Sequence, residues 1–179
     1  MAAIDLAKID LLVLDVDGVL TDGRIILSPS GEETKAFHVR DGSGMKYWKR
    51  LGKKLAIISG RGSPAVLVRA KEMDVDAVRV NAKSKLPLYE EVLAELKTTP
   101  DQVAVIGDDL PDLPLLFRCA FPVAVADAVP EVRQAAAYVT KLPGGAGCVR
   151  EVIELILQQA GLWQTILSRY PGPERGRRS

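Results

Sequence analysis

Two aspartates separated by one residue follow an apolar segment, residues 11–14, near the start of the chain. Alternate residues of a strand lie on one face, so Asp15 and Asp17 should project together at the carboxyl edge, where open α/β sheets bind ligands. Two like charges this close repel unless a positive group lies between them, and a divalent cation with oxygen ligands meets that need. Gly18 allows a sharp turn beside them. The segment therefore predicts a cation site.

Three further segments carry polar residues at comparable positions. The Ser59–Gly60 turn and Asp108 each follow an apolar segment, and Lys85 immediately precedes an amphipathic one. Asp112 lies one turn beyond Asp108. Because parallel strands end at the same edge of a sheet, these residues are expected to converge on the two aspartates.

Together these residue types suit phosphoryl transfer. Asp15 can attack phosphorus as a carboxylate nucleophile, and Asp17 can protonate the leaving alkoxide and later deprotonate water. Mg²⁺, the predicted cofactor, would be held by Asp15, the main-chain carbonyl of Asp17 and Asp108. The Ser59–Gly60 turn and Lys85 would hold the phosphoryl oxygens. The sequence contains neither a P-loop nor a dinucleotide-binding glycine motif.

The elements that position these residues alternate between short apolar segments and amphipathic ones. This alternation predicts an α/β fold, a doubly wound, Rossmann-like parallel sheet covered on both faces. The predicted strands are 9–14, 54–58, 77–80, 103–106, 123–125 and 138–139, and the predicted helices are 43–51, 64–73, 86–96, 111–117, 131–136 and 149–159.

A predicted β-hairpin, residues 24–39, interrupts this alternation directly after the aspartates. Its strands are expected at 24–27 and 35–39, around a Ser-Pro-Ser-Gly turn. A hairpin alone is marginally stable, so its apolar face must pack either on its own domain or on the same hairpin of another subunit. His38 is expected on the polar face, without a catalytic role. The apolar face would consist of Ile25, Leu27, Phe37 and Val39.

The chain of 179 residues is predicted to form a single domain over residues 1–165, followed by a basic tail at 166–179. Hydrophobic residues make up 47% and charged residues 26%, as in soluble globular proteins. The net charge of +1 gives no reason to expect nucleic acid or a membrane as a partner.

Cysteine and histidine content argues against a zinc site. Cys119 and Cys148 have no zinc-type partners nearby, and His38 is the only histidine. Two thiols that serve as small core residues fit a reducing compartment, and the N-terminus lacks signal-peptide features. The sequence therefore predicts a cytoplasmic protein.

The segment from Asp15 to Gly23 resembles the first motif of the haloacid-dehalogenase-type phosphatases. Its Thr-Asp-Gly ending is typical of their capless branch, which includes the 3-deoxy-D-manno-octulosonate 8-phosphate phosphatase family, and the resemblance extends over residues 9–157. It implies an Mg²⁺-dependent phosphomonoesterase that forms an aspartyl phosphate, has no cap domain and uses the same positions in the same roles. It also implies that hairpins of neighbouring subunits build a homotetramer, in which a neighbour closes each active site.

The resemblance also suggests substrate-binding residues. Asp41 and Gly42 match a family segment that lies near the substrate, and Arg61 and Arg69 match the region of the second motif. For Arg69 a structural ion pair is the alternative, and for Arg61 an ordinary surface position. The loop 144–147 is either a plain turn or a flexible lip over the site.

The expected substrate is a phosphorylated sugar acid, preferably 3-deoxy-D-manno-octulosonate 8-phosphate, a precursor in lipopolysaccharide synthesis. Relatives that cleave this compound usually carry Arg or Lys where this chain has Ala146, a basic residue that would meet the sugar acid's carboxylate. Arg61, Arg69 or tail arginines of a neighbour could replace it. A nonulosonate (sialic-acid-type) 9-phosphate is the alternative substrate.

Two other classes of function use similar residues. A phospho-receiver signalling domain also combines acids, Mg²⁺, a hydroxyl and a lysine, but its phospho-acceptor normally ends a middle strand. Here Asp17 offers an acid–base group two residues after Asp15, which favours turnover. A catalytically silent sugar-phosphate-binding domain is the third possibility, and the complete set of predicted catalytic residues counts against it.

Overall fold

A computed structural model describes residues 4–170 of the chain. Six parallel strands form one sheet in the order β5-β4-β1-β6-β7-β8, with helices on its faces, and strands β2 and β3 form a separate antiparallel hairpin. The predicted fold class is therefore confirmed. The strands are β1 Leu11–Leu14, β2 Ile26–Leu27, β3 Glu33–Thr34, β4 Lys54–Ile58, β5 Ala77–Arg79, β6 Val103–Gly107, β7 Phe121–Ala124 and β8 Tyr138–Val139. The helices are α1 Val39–Arg50, α2 Pro64–Glu72, α3 Lys85–Leu96, α4 Leu113–Leu116, α5 Pro130–Ala135, α6 Cys148–Gln159 and α7 Trp163–Leu167.

The central strand, β1, determines where the site forms. All four of its residues are buried, as the continuous apolar sequence Leu-Leu-Val-Leu requires of a strand covered on both faces. In the register of the sheet, Leu14 lies beside Ile57 of β4 and Ile106 of β6. The residues that follow these three positions in the sequence, including the predicted site residues, therefore leave the sheet at one edge.

Helices α1 and α6 pack directly against each other. Helix α6 buries Val149, Val152, Ile153 and Ile156, a spacing of three and four residues that places them on one face. Gly44 of α1 allows the close approach, because a Cβ atom there would lie 3.1 Å from the Cα of Arg150. This packing joins the segment after the hairpin to the C-terminal part of the domain.

The hairpin is shorter than predicted. Its second strand is Glu33–Thr34, so the prediction of a strand at 35–39 was wrong, and α1 begins at Val39 instead of residue 43. His38 does not lie on a hairpin face: it is the N-cap of α1, where its Nδ1 accepts a hydrogen bond from the amide of Arg40. Capping the free amides at a helix start favours a helix here over continued strand pairing.

The end of the domain contains a helix that the sequence analysis did not predict. Helix α7 crosses the predicted boundary at residue 165, and Ile166 is buried. The ring of Tyr47 on α1 makes edge contacts with the rings of Trp163 and Tyr170. Residues 171–179, which contain most of the predicted basic tail, lie outside the described residues. Within the described range, none of the helices combines the length and apolar character needed to span a bilayer.

Candidate active site

Three carboxylates meet at the carboxyl edge of the sheet. Asp15 directly follows β1, Asp108 directly follows β6, and Asp112 lies in the turn after β6. One oxygen from each lies within 4.8 Å of the others, an arrangement that could hold a metal ion. Asp112 is oriented by the backbone, because its Oδ2 accepts a hydrogen bond of 3.1 Å from the amide of Asp108. The sequence analysis placed Asp112 at this edge, one turn after Asp108, but did not include it among the predicted metal ligands.

Lys85 joins this group from the first position of α3. Its ammonium lies 2.9 Å from Asp15 and 2.6 Å from Asp112, and its side chain is only 4% exposed. Burial alone would lower the pKa of Lys85, but the two carboxylates outweigh burial and raise its pKa, so that it remains charged. We call Asp15, Lys85, Asp108 and Asp112 the acid–lysine cluster. The structure thus brings together three predicted site residues that are far apart in the sequence.

The acid–lysine cluster carries excess negative charge. Burial, and then Asp112, raise the pKa of Asp15 to about 6, although Lys85 opposes them. Burial, and then Asp15 and Asp112, raise the pKa of Asp108 to about 8. Asp108 Oδ1 is buried and has no hydrogen-bond partner within residues 4–170, which leaves an acceptor unsatisfied. When ionised, the three carboxylates and one ammonium leave two negative charges, so these residues fit a divalent cation such as Mg²⁺.

Gly18 permits the segment 15–23 after β1, which we call the catalytic loop, to approach Asp108. It has a φ of +92°, which side chains rarely adopt, and a Cβ atom there would lie 2.1 Å from Asp108 Oδ2. Any other residue at position 18 would displace the Asp108 carboxylate or the loop. The glycine after the two aspartates is thus required by the geometry of the site.

Asp17 belongs to a different set of contacts. Its Oδ1 accepts a short hydrogen bond from Lys35, whose ammonium also lies 2.5 Å from Glu33. Arg61 completes the set: it lies 3.0 Å from Glu33 and 3.9 Å from Asp17 Oδ2. Burial would lower the pKa of Lys35, but hydrogen bonds to Asp17 and Glu33 outweigh burial and raise it. We call Asp17, Glu33, Lys35 and Arg61 the Asp17 network.

Glu33 and Lys35 were missed by the sequence analysis. The predicted turn and strand assigned no chemistry to them, although residues i and i+2 of a strand share a face and could have been matched to a nearby charged site. In the structure they reach the site from β3 and the residue after its end. The predicted metal contact of Asp17 through its main-chain carbonyl remains a prediction, since its side chain faces Lys35.

The predicted phosphate-binding turn lies in the same open cavity as the carboxylates. Asp15, Asp17, Ser59, Gly60 and Lys85 all line this cavity, together with Arg61 and Asp108. Ser59 is fixed through its backbone, since its amide donates to the carbonyl of Arg79 and its own carbonyl accepts from Ala82. The sheet edge therefore presents a candidate nucleophile, a hydroxyl, an ammonium and a candidate acid–base group to one cavity.

Comparison with known proteins identifies the family. Residues 78–149 match the family model described as haloacid dehalogenase-like hydrolase. The chain is 46% identical over 151 residues to the 3-deoxy-D-manno-octulosonate 8-phosphate phosphatase of Yersinia pestis, covering 84% of this chain and 81% of that protein. This chain belongs to that phosphatase family. It is accordingly a phosphoric monoester hydrolase.

Solved structures agree with this assignment. The Moraxella catarrhalis 3-deoxy-D-manno-octulosonate 8-phosphate phosphatase, crystallised with a magnesium ion, a phosphate ion and 3-deoxy-D-manno-octulosonate (KDO), superposes with a TM-score of 0.90 at 38% identity. The match covers 93% of this chain and 96% of that one. A probable phosphatase from Pseudomonas syringae superposes with a TM-score of 0.91 at 41% identity, covering 96% and 100% of the two chains.

In this phosphatase, Asp41 and Gly42 do not line the cavity of the acid–lysine cluster. Asp41 is 1% exposed, and its two oxygens accept hydrogen bonds from the amides of Gly147 at 3.2 Å and Arg150 at 2.8 Å. It therefore caps the N-terminus of α6. Burial raises the pKa of Asp41 in spite of these amides. The predicted substrate contacts of Asp41 and Gly42 remain predictions.

Arg69 also lies outside the cavity of the acid–lysine cluster. It forms an ion pair of 2.7 Å with Glu72, the structural alternative stated from the sequence, and its guanidinium lies over the ring of Phe37. A Cβ atom at Gly42 would lie 2.2 Å from Arg69 Nη2, so the glycine makes room for the arginine. A substrate contact of Arg69 remains a prediction, whereas Arg61 does line the cavity.

The glycine loop at 144–147 packs against the catalytic loop. The amide of Gly144 donates to Asp127 Oδ1 at 2.9 Å, and that of Gly145 donates to the carbonyl of Val19 at 2.9 Å. A Cβ atom at Gly144 would lie 1.8 Å from the carbonyl oxygen of Gly18. Residues 144–147 thus form a turn, the first of the two alternatives stated from the sequence, and its backbone packs directly on the backbone of the segment after β1.

Proposed function

We propose that this protein hydrolyses 3-deoxy-D-manno-octulosonate 8-phosphate to 3-deoxy-D-manno-octulosonate and phosphate, a step of lipopolysaccharide precursor synthesis. The observation that carries the reaction is the cluster of Asp15, Lys85, Asp108 and Asp112, of which Asp15, Lys85 and Asp108 line one open cavity. The substrate follows from relatives at 42–46% identity that carry this name. A magnesium ion, a phosphate ion and KDO occur together in the Moraxella catarrhalis structure.

In the first half-reaction, an oxygen of Asp15 attacks phosphorus and forms an aspartyl phosphate. The bond between phosphorus and the sugar oxygen breaks, and Asp17 gives its proton to the departing alkoxide. Lys85 and the Ser59 hydroxyl hold phosphoryl oxygens and offset their charge. When bound, Mg²⁺ supplies positive charge that reduces repulsion between the phosphate and the carboxylates of Asp15, Asp108 and Asp112.

In the second half-reaction, water attacks the aspartyl phosphate. Asp17, now ionised, takes a proton from the water, the bond between phosphorus and the Asp15 oxygen breaks, and inorganic phosphate leaves. Both enzyme groups return to their starting states. An acid–base group beside the nucleophile distinguishes turnover from storage of a stable phospho-aspartate.

We also propose a homotetramer in which a neighbouring subunit closes the open cavity. On the hairpin, Ile25, Ile26 and Leu27 have exposed fractions of 51%, 49% and 61%. Exposed apolar residues grouped on one short element support an interface. Leu27→Asp should shift the protein to smaller species in light scattering, whereas Leu167→Asp, on α7, should not.

For the location of the protein we propose the cytoplasm, a reducing compartment that is compatible with its two free cysteines.

The test of function is phosphate release from a panel of sugar and sugar-acid phosphates, with Mg²⁺ and with chelator. We expect the eight-carbon acid phosphate to have the highest kcat/KM and chelator to abolish release. Preference for a nonulosonate 9-phosphate would keep the reaction but change the pathway. No release from any member would contradict the proposal and favour the receiver or silent-binding alternatives.

A further inference from the structure

We propose that Lys35, held by Glu33, is a positioning residue that orients Asp17 for proton transfer, an inference that rests on the proposed phosphatase reaction. Lys35 is separated from Asp17 by 18 residues of sequence. Within residues 4–170, Lys35 forms ion pairs with Asp17 and Glu33 and none with Asp15. Its effect on the reaction would therefore pass through Asp17.

The contacts fix Lys35 tightly. Its side chain is 1% exposed, and its ammonium bonds to Asp17 Oδ1 and lies 2.5 Å from Glu33 Oε1. Removing either carboxylate would leave a buried ammonium with one fewer partner, which is costly. Arg61 balances the second charge of the group, 3.0 Å from Glu33 Oε2. When Asp17 is ionised, as it is after it has protonated the leaving group, two carboxylates and two cations make the Asp17 network electrically neutral.

The two carboxylate oxygens of Asp17 have different hydrogen-bond environments. Oδ1 is occupied by Lys35, whereas Oδ2 has no hydrogen-bond partner within residues 4–170. Arg61 lies 3.9 Å from Oδ2, and its side chain is 47% exposed. Movement of Arg61 would open Oδ2 to the cavity and leave the Lys35 contact intact. Oδ2 is thus the oxygen that exchanges the proton, and Lys35 sets the direction in which it points.

The chemistry of the leaving group distinguishes this role from a structural one. A sugar alkoxide must be protonated as it leaves, so its release depends on a well-placed Asp17. 4-Nitrophenolate is a stable anion and leaves without a proton. Loss of orientation should therefore slow formation of the aspartyl phosphate from a sugar phosphate, but not from 4-nitrophenyl phosphate. General damage to the site would slow both.

The experiment compares the native protein with Lys35→Met in single turnovers on both substrates, with Mg²⁺ present. For the sugar-acid phosphate we expect the rate to fall about 10- to 100-fold, part of the 10²–10⁴ that general acid catalysis supplies, with KM changing much less than kcat. The first-turnover release of 4-nitrophenolate should stay within about twofold of native, because it needs no general acid. Lys35→Arg should recover part of the loss, and Glu33→Gln should show the same pattern more weakly.

Lys49→Met is the matched control, since it also removes a lysine that pairs with an aspartate, 2.5 Å from Asp76, but away from the cavity. It should leave both rates unchanged. An equal loss on both substrates for Lys35→Met and Glu33→Gln, or native rates for both variants, would overturn the inference. Failure of the native protein to cleave either ester would instead overturn the proposed function. Circular dichroism shows whether Lys35→Met is folded. If it is misfolded, the rates of Glu33→Gln on the two substrates decide whether the inference holds.

Discussion

The acid–lysine cluster and the Asp17 network lie side by side at one sheet edge but have opposite electrostatic character. Among residues 4–170, the first leaves Asp108 Oδ1 without a hydrogen-bond partner and, when ionised, carries two negative charges in excess. The second pairs two carboxylates with two cations. Buried charges are tolerated only when they are compensated, so the first cluster must take up protons or bind a cation, whereas the second is compensated by the chain itself. The acid–lysine cluster is therefore suited to bind metal and phosphate, whereas the Asp17 network is suited to orient an acid–base group.

The largest expected effect comes from the nucleophile in the acid–lysine cluster. Asp15→Asn keeps the shape of the side chain but cannot form the aspartyl phosphate, so kcat should fall by about 10⁴-fold or more. Phosphate release with the eight-carbon acid phosphate measures it. Substantial phosphatase activity in this variant would contradict the proposed mechanism.

Asp17→Asn should cost less, about 10²- to 10⁴-fold in kcat, because it removes acid–base chemistry and keeps the nucleophile. Aspartyl phosphate should still form from 4-nitrophenyl phosphate and accumulate, since the water attack lacks its base. Rapid quenching followed by detection of acid-labile phosphoprotein measures the intermediate. If Asp17→Asn lost the 4-nitrophenolate burst as fully as Asp15→Asn, the two clusters would not have separate roles.

The charge of the acid–lysine cluster predicts a pH-dependent response to Mg²⁺. Without a cation, the pKa values of about 6 for Asp15 and about 8 for Asp108 exceed the ordinary value of 3.8, so the folded state binds more protons than the unfolded state between these values. Stability with chelator should therefore fall as pH rises from about 4 to 8.

Saturating Mg²⁺ should raise Tm by about 5–10 °C at pH 8, if its concentration is 100 times Kd. The gain should be smaller at pH 6, because protons then compete for the carboxylates. Thermal melts followed by circular dichroism, with Mg²⁺ or with chelator, test this. A gain that is larger at pH 6 than at pH 8 would contradict the charge assignment.

The smallest effect concerns Asp41, which belongs to neither group. Asp41→Ala removes the cap of α6 and should destabilise the fold by about 1–2 kcal/mol, a decrease of several degrees in Tm. Exposed Asp101→Ala should change Tm little. If KM for the sugar-acid phosphate rises tenfold in Asp41→Ala at a temperature where it is folded, the predicted substrate contact stands, and an unchanged KM assigns Asp41 to the fold alone.

The strands and the residues at their ends could be predicted because the signals are local. A continuous apolar run followed by carboxylates places Asp15 and Asp108 at strand ends whatever the rest of the chain does. The hairpin's second strand was misplaced because the cap at His38 starts a helix where hydrophobic alternation favoured a strand. Helix α7 was missed because it is short and depends on packing, such as the contact of Trp163 with Tyr47.

The sequence by itself determined the fold class, and its motifs carried the resemblance to the family, since apolar runs and short motifs are local signals. The roles of nucleophile, acid–base residue and phosphate-binding lysine are predictions that rest on the same motifs. Tertiary structure decided which charges meet. Lys85 donates a hydrogen bond to Asp112, 27 residues away in the sequence, and Lys35 donates one to Asp17, 18 residues away. Asp41 caps a helix that begins more than 100 residues later. The physical reason is that a charged side chain finds its partner through sheet register and helix packing, and a local pattern contains neither.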